Sequence, residues 1–102
     1  MSSNNGKIEI LFFYSISMYE NVRTKLILND YLNSNVIAKE IVLKEIDFDK
    51  EIDLCKKYNV TGVPTTIVYH NEKQFYRHLG ELSDNELEFL FAKIKLVNEK
   101  KL

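Results

Sequence analysis

The sequence predicts a single three-layer α/β domain spanning residues 1–102, its core about residues 7–97, with one four-stranded mixed sheet and the element order βαβαββα. Three observations carry this prediction. Ile8 through Tyr14 reads Ile-Glu-Ile-Leu-Phe-Phe-Tyr, nearly continuous in apolar and β-favouring residues, which suits a central strand covered on both faces. A helical pattern separates it from a second β-favouring stretch around Ile41-Val42-Leu43 and Ile46, the signature of a βαβ unit with parallel strands and a right-handed crossover. The only proline, Pro64, fixes its own φ, lacks a backbone donor and pushes Val63 into extended geometry. It must stand where a strand begins, and Thr65 to Tyr69 is that strand.

Taken in order, residues 1–6 are expected to be a polar lead-in. Ser15-Ile16-Ser17 breaks the first strand, and Ser17-Met18-Tyr19-Glu20 has the spacing of a capping box. The helix that follows carries Val22, Leu26, Ile27, Leu28, Tyr31 and Leu32 as a broad apolar arc and ends in the cluster Asn33-Ser34-Asn35. Ala38 to Phe48 reads as the second strand. Asp49 is placed as N-cap of a short helix, Lys50 to Tyr58, with Ile52, Leu54, Cys55 and Tyr58 on one half of its wheel.

Thr65 to Tyr69 turns at His70-Asn71-Glu72-Lys73 into Gln74 to Leu79, a more polar stretch suited to a sheet edge, so the pair forms an antiparallel hairpin. Gly80 stops it. Ser83-Asp84-Asn85-Glu86 is a second capping box, and Leu87, Leu90, Phe91, Ile94 and Val97 give the spacing of an amphipathic helix that ends at Lys100-Lys101.

Composition narrows the function. Lys and Arg number 14 against 15 Asp and Glu, so the chain lacks the basic excess expected of a nucleic-acid or anionic-membrane partner, and Phe75 and Tyr76 lie in no basic field. The start is polar, and no apolar run is long enough to span a bilayer. Cys55 is the only cysteine, which forbids an intrachain disulfide and the four-cysteine or two-cysteine, two-histidine zinc sites. A reducing, cytoplasmic location is expected. His70, in a turn, and His78, on an edge strand, have no spaced ligand partner and read as surface residues, so neither metal nor cofactor is expected.

The order of elements, with a Gly62-Val63-Pro64-Thr65 loop at the head of the third strand, resembles the core of the thioredoxin and glutaredoxin superfamily. Phe12-Phe13-Tyr14-Ser15 is similar to the end of that family's first core strand, Lys57-Tyr58-Asn59-Val60 to its helix end, and Leu79-Gly80-Glu81-Leu82-Ser83 to the turn before its last helix. The resemblance implies a cis peptide before Pro64, in a loop that faces the functional site. It also exposes a departure. Where thioredoxins open their first helix with Cys-x-x-Cys, this chain has Met18-Tyr19-Glu20-Asn21, or Ser17-Met18-Tyr19-Glu20 one residue earlier, and neither contains a thiol. Phe12 stands where many thioredoxins carry a proton-transferring acid. Methionine cannot ionise and serine is too weak an acid, so no residue can form or resolve a mixed disulfide there. Cys55, on the apolar side of the second helix, reads as inert packing.

The expected function is therefore a redox-inactive binding or adaptor module that takes a protein or peptide at the cis-proline face. Ser17, Met18, Tyr19, Asn21, Val63, Pro64 and Thr65 are the candidate binding residues, and no catalytic residue is assigned. A backbone beside the proline can pair with an extended peptide, and Met18 and Tyr19 supply an adaptable apolar rim. One alternative is a thiol- or glutathione-linked oxidoreductase or transferase, with Ser15, Ser17 or Tyr14 polarising a bound thiol. The chain is too short for the second helical domain of such transferases, and the capping role already explains Ser17. Another is a KaiB-like clock or signalling partner, since Glu20-Asn21-Val22-Arg23, Ile46-Asp47 and Gly80-Glu81-Leu82-Ser83-Asp84 resemble segments of those cysteine-poor proteins.

Overall fold

The computed structural model describes residues 7–34 and 41–99. The lead-in over residues 1–6, the turn residue Asn35, the strand positions Ala38 to Glu40 and the Lys100-Lys101 end lie outside the described residues, as do the side chains of Tyr19, Glu20, Asn98 and Glu99. Seven elements follow the expected order: β1 (Ile8–Tyr14), α1 (Tyr19–Ser34), β2 (Ile41–Asp47), α2 (Ile52–Lys57), β3 (Thr65–His70), β4 (Lys73–Leu79) and α3 (Asp84–Glu99).

One sheet is formed, in the order β2-β1-β3-β4. β1 pairs in parallel with β2, from Ile8↔Ile41 to Tyr14↔Asp47, and antiparallel with β3, from Ile8↔His70 to Phe13↔Thr65. β3 and β4 form the hairpin, with a register irregularity at Val68/Tyr69. Its two turn residues, Asn71 and Glu72, both have positive φ, 52° and 68°. A primed two-residue hairpin turn requires this of both positions.

β1 explains the layering. Side chains alternate across a strand, and both of its faces are covered, so one strand feeds two cores. Ile8, Ile10 and Phe12 join Leu28 of α1, Ile41, Val68 and Leu82, Leu87, Leu90 and Ile94 on one face. Leu11 and Phe13 join Ile46, Cys55, Val60 and Ile67 on the other. Helices α1 and α3 share the first face, where Tyr31 stacks on Phe91 with ring centroids 3.6 Å apart, and α2 covers the second.

Three local readings are corrected. The first capping box is out of place by one residue, since Met18 and not Ser17 precedes the helix. α1 starts at Tyr19, the Met18 carbonyl accepts from Val22, and the Ser17 hydroxyl pairs with Ser15 Oγ at 2.8 Å instead of with a helix amide. The apolar arc of α1 is also narrower than its composition suggests: Leu28 is fully buried, but Leu26 is 59% exposed, and the inward stripe includes Asn21 and Thr24. Finally, α2 is shorter than Lys50 to Tyr58, because residues 48–50 form a turn tied to Asp47 and Glu51, not Asp49, precedes the helix.

The end of α2 makes up for its missing N-terminal side-chain cap. Val60 N–H bonds to the Cys55 carbonyl at 2.8 Å and Asn59 N–H to that of Lys56 at 3.2 Å, with Asn59 in the left-handed region at φ 57°. These two bonds and the left-handed residue make a Schellman turn. Arg77 of β4 then donates to the carbonyls of Tyr58 and Asn59, both at 2.8 Å. A cation thus stands at the negative end of the helix. The second capping box forms as expected, with Ser83 N–H to Glu86 Oε1 at 2.8 Å and Glu86 N–H to Ser83 Oγ at 3.1 Å. Two orphan donors are satisfied reciprocally there.

Candidate functional site

Because β1 and β2 are parallel and β3 runs against them, the ends of β1, β2 and β4 and the start of β3 all meet at one end of the sheet. Four loops gather there: residues 15–18, 48–51, 58–64 and 80–83. Phe13 pairs with Thr65, so continuing the register sets Tyr14 opposite Pro64 and the Ser15–Met18 loop beside Val63. The Val63–Pro64 peptide is cis. Pro64 is buried, and its carbonyl accepts from Gly80 N–H at 2.8 Å, which joins the proline loop to the turn after β4. Gly80 has φ +113°. Side-chain-bearing residues rarely adopt that backbone.

The predicted binding residues divide into two sets. Met18 is 47% exposed and Ser17 is exposed, so both face outward, whereas Val63 is half-buried and its side chain packs against the Cys55 side of the core. Among the described residues, neither the N–H nor the C=O of Val63 has a hydrogen-bond partner. Asn21 and Thr65 turn inward. Thr65 Oγ1 donates to the Gly62 carbonyl at 2.7 Å and braces its own loop. Asn21 is only 2% exposed. Its Oδ1 accepts the Ser15 N–H at 3.0 Å, and its Nδ2 donates to Glu81 at 3.0 Å. Tyr19 opens α1.

Several residues at this end escape the sequence reading. Ile16 and Leu79 are exposed by 71% and 65% and extend the apolar rim to both sides of the proline loop. Leu79 pairs with Thr65, and its Cδ1 lies 3.5 Å from where a Cβ on Gly62 would stand. Glu81 accepts from Asn21 and, at 2.6 Å, from Thr24 Oγ1. Asp49 accepts from Ser15 Oγ at 2.8 Å. Ser15 has a single hydroxyl proton and gives it to Asp49, so Ser17 donates in the Ser15–Ser17 pair. Asp49 thus holds the loop directly from one flank, and Glu81 holds it from the other through Asn21. Exposed apolar side chains in a loop are a weak signal in sequence, so Ile16 and Leu79 do not stand out before the fold is known.

The lone thiol is not part of this site. Cys55 is buried under the sheet, with Sγ 3.9 Å from the Phe48 carbonyl. Burial, with the nearby Glu51 and Asp49 carboxylates, raises its pKa above the ordinary thiol value, the opposite of what a nucleophilic cysteine needs. His70 ends β3, and His78 is half-buried, with Nε2 3.1 Å from the Glu81 carbonyl. No group of three His, Cys, Asp or Glu suited to a metal ion occurs among the described residues, and no described helix is long and apolar enough to cross a membrane.

A family model for thioredoxin matches residues 25–93. The chain belongs to the thioredoxin family. The matched segment begins at Lys25, nearly two turns into α1, after the stretch where other thioredoxins keep their cysteine pair. Among solved structures, the germline-specific thioredoxin Deadhead of Drosophila melanogaster is 20% identical, with a TM-score of 0.75 over 89% of this chain and 84% of that one. A thioredoxin of Plasmodium falciparum is 24% identical, with a TM-score of 0.73 over 90% of this chain and 84% of that one. A thioredoxin-2 described as a component of the malaria parasite protein secretion machinery is 26% identical, with a TM-score of 0.70 over 85% of this chain and 82% of that one. No curated protein matches by sequence. This family member therefore has the thioredoxin sheet and helices with a single cysteine, placed in the core.

Proposed function

We propose that this thioredoxin-family chain is a protein- or peptide-binding module that works through its Val63–Pro64 face and performs no dithiol–disulfide exchange. The observation that carries this reading is the unpaired Val63 backbone, one donor and one acceptor, set between the exposed Ile16 and Met18 on one side and Leu79 on the other. An extended partner segment can pair with Val63 as one residue of an added antiparallel strand, its side chains resting on the apolar rim. Ser17, Met18 and Val63 touch the partner in this reading, while Asn21, Pro64 and Thr65 position the loop.

The thiol chemistry of the family supports a second reading, a thiol-linked oxidoreductase, and family membership is the observation in its favour. Against it, the first turn of α1 has no thiol, and Cys55 is buried with its pKa raised. Insulin reduction with dithiothreitol separates the two. The natural chain should stay at background, and a Met18→Cys, Asn21→Cys variant, once its fold is checked by circular dichroism, should gain activity. Activity in the natural chain would overturn the binding-module reading.

A further inference from the structure

Carboxylates outnumber cations on the elements that flank the rim around Val63. The Ser15–Met18 loop and residues 59–64 carry no charged side chain. On the β2 side stand Asp49, Glu51 and Asp53 with Lys50, and with Lys56 and Lys57 in the last turn of α2, while on the β4 side stand Glu81, Asp84 and Glu86, with Arg77 of β4 turned to the Tyr58 and Asn59 carbonyls. Among the described residues, none of these carboxylates is paired with a lysine or arginine, and only Glu86 meets a partial counter-charge, His78 at 3.8 Å. The whole chain is nearly balanced at a formal charge of −1, so the acidic field is a property of this end of the sheet. Its centre is apolar, with a backbone donor and acceptor to offer.

We infer that the occupant of the Val63 face is an extended segment of a partner protein with apolar residues at its centre and Lys or Arg on its flanks. The inference rests on the peptide-binding reading above and adds the chemistry of the ligand. Antiparallel pairing with Val63 sets the segment along the proline loop. Its apolar side chains then lie on Met18, Ile16 and Leu79, and its two ends run out towards the carboxylates of the two flanks. Complementary charge of this kind raises the encounter rate and rejects acidic segments, since placing like charges side by side is costly.

The test is fluorescence anisotropy of the full chain with three labelled peptides of about ten residues, sharing one Val-Leu-Val-Leu centre and flanked by Arg and Lys, by Glu and Asp, or by Ser and Gln. At about 20 mM salt, where charges act over roughly 20–30 Å, the basic-flanked peptide should bind at least ~10-fold more tightly than the acidic one, and the gap should narrow at about 300 mM salt. A Glu51→Gln, Asp53→Asn, Asp84→Asn variant, changed only at exposed positions, should narrow the gap at low salt while leaving the Ser- and Gln-flanked peptide unaffected. Equal binding of all three peptides, or a preference for the acidic one, overturns this inference and leaves the peptide-binding reading standing. Failure of every peptide to bind overturns both. A dimer in sedimentation that the basic peptide does not disperse overturns the inference by making a second copy the occupant.

Discussion

Asn21 and Glu81, sixty residues apart in the chain, are joined by a 3.0 Å hydrogen bond that fastens the first turn of α1 to the loop after β4. Thr24, one turn further on, donates to the other oxygen of the same carboxylate at 2.6 Å, and the Asn21 carbonyl oxygen accepts the Ser15 amide. The amide of Asn21 therefore has a fixed orientation: oxygen towards an N–H, nitrogen towards a carboxylate. The first turn of α1 thus contains a buried polar lock.

Asn21→Ala should destabilise the fold by about 1–3 kcal/mol in urea unfolding, because it leaves the buried Ser15 N–H and one Glu81 oxygen without a partner. Asn21→Asp should be worse at neutral pH, since it sets a carboxylate against Glu81. The like charge raises the carboxyl pKa in the folded state, so the folded chain binds protons more tightly than the unfolded one. The variant's deficit should then shrink as pH falls through the carboxylate range, near about 4. An equal deficit at both pH values would mean that the two groups do not face each other.

Leu28 and Leu26 lie two residues apart on α1 and should respond very differently. Leu28→Ala empties a fully buried position beside Phe12 and Leu90. It should cost about 2–5 kcal/mol by urea unfolding. Leu26 is mostly exposed. Leu26→Ala should therefore stay within about 0.5 kcal/mol of the natural chain. Similar losses at the two positions would contradict the rotation that turns Leu28 inward.

That contrast shows where sequence is informative and where it is not. The seven elements, the central place of β1, Pro64 at the head of β3 and the Ser83–Glu86 box are all legible, because each rests on a local pattern: an apolar run, a missing donor or a three-residue spacing. The inward face of α1 is not. Asn21 and Thr24 look like surface residues until the β4–α3 loop supplies Glu81, a partner no local window contains. For the same reason Ser17 reads as a cap although its hydroxyl goes to Ser15, and Asp49 reads as the start of α2 although its carboxylate holds Ser15 from across the loop. At the site, the predicted cluster of Met18, Val63 and Pro64 does come together at one end of the sheet, while the sign of its surroundings emerges only from the fold.

Cys55 should react slowly. Its burial and the nearby Glu51 and Asp49 hold the thiol in its protonated form above the ordinary range, so labelling with a chromogenic disulfide reagent at pH 8 should proceed far more slowly in the folded chain than in urea. Rapid labelling without denaturant would show an accessible thiolate and return Cys55 to consideration as a chemical group.

Glu86 links stability to pH at the start of α3. The Ser83 N–H bonded to its carboxylate holds its pKa below the ordinary value, with smaller help from the Ser83 hydroxyl and His78. A depressed folded-state pKa contributes stability that is present above the unfolded value and lost as pH falls through the folded one. Glu86→Ala should thus lower Tm at pH 7 and lower it less at pH 3. An equal drop at both pH values would show that the carboxylate's charge does not contribute.

Two separate kinds of bonding hold this molecule together: the two hydrophobic layers meet at β1, whereas the loop from Ser15 to Met18 is held through Ser15 by hydrogen bonds to the Asp49 carboxylate and the Asn21 amide. None of Ile16, Ser17 and Met18 belongs to either layer. Ile16, Ser17 and Met18 can therefore be exchanged without disturbing the packing beneath them, so the surface of this loop can vary on an intact scaffold.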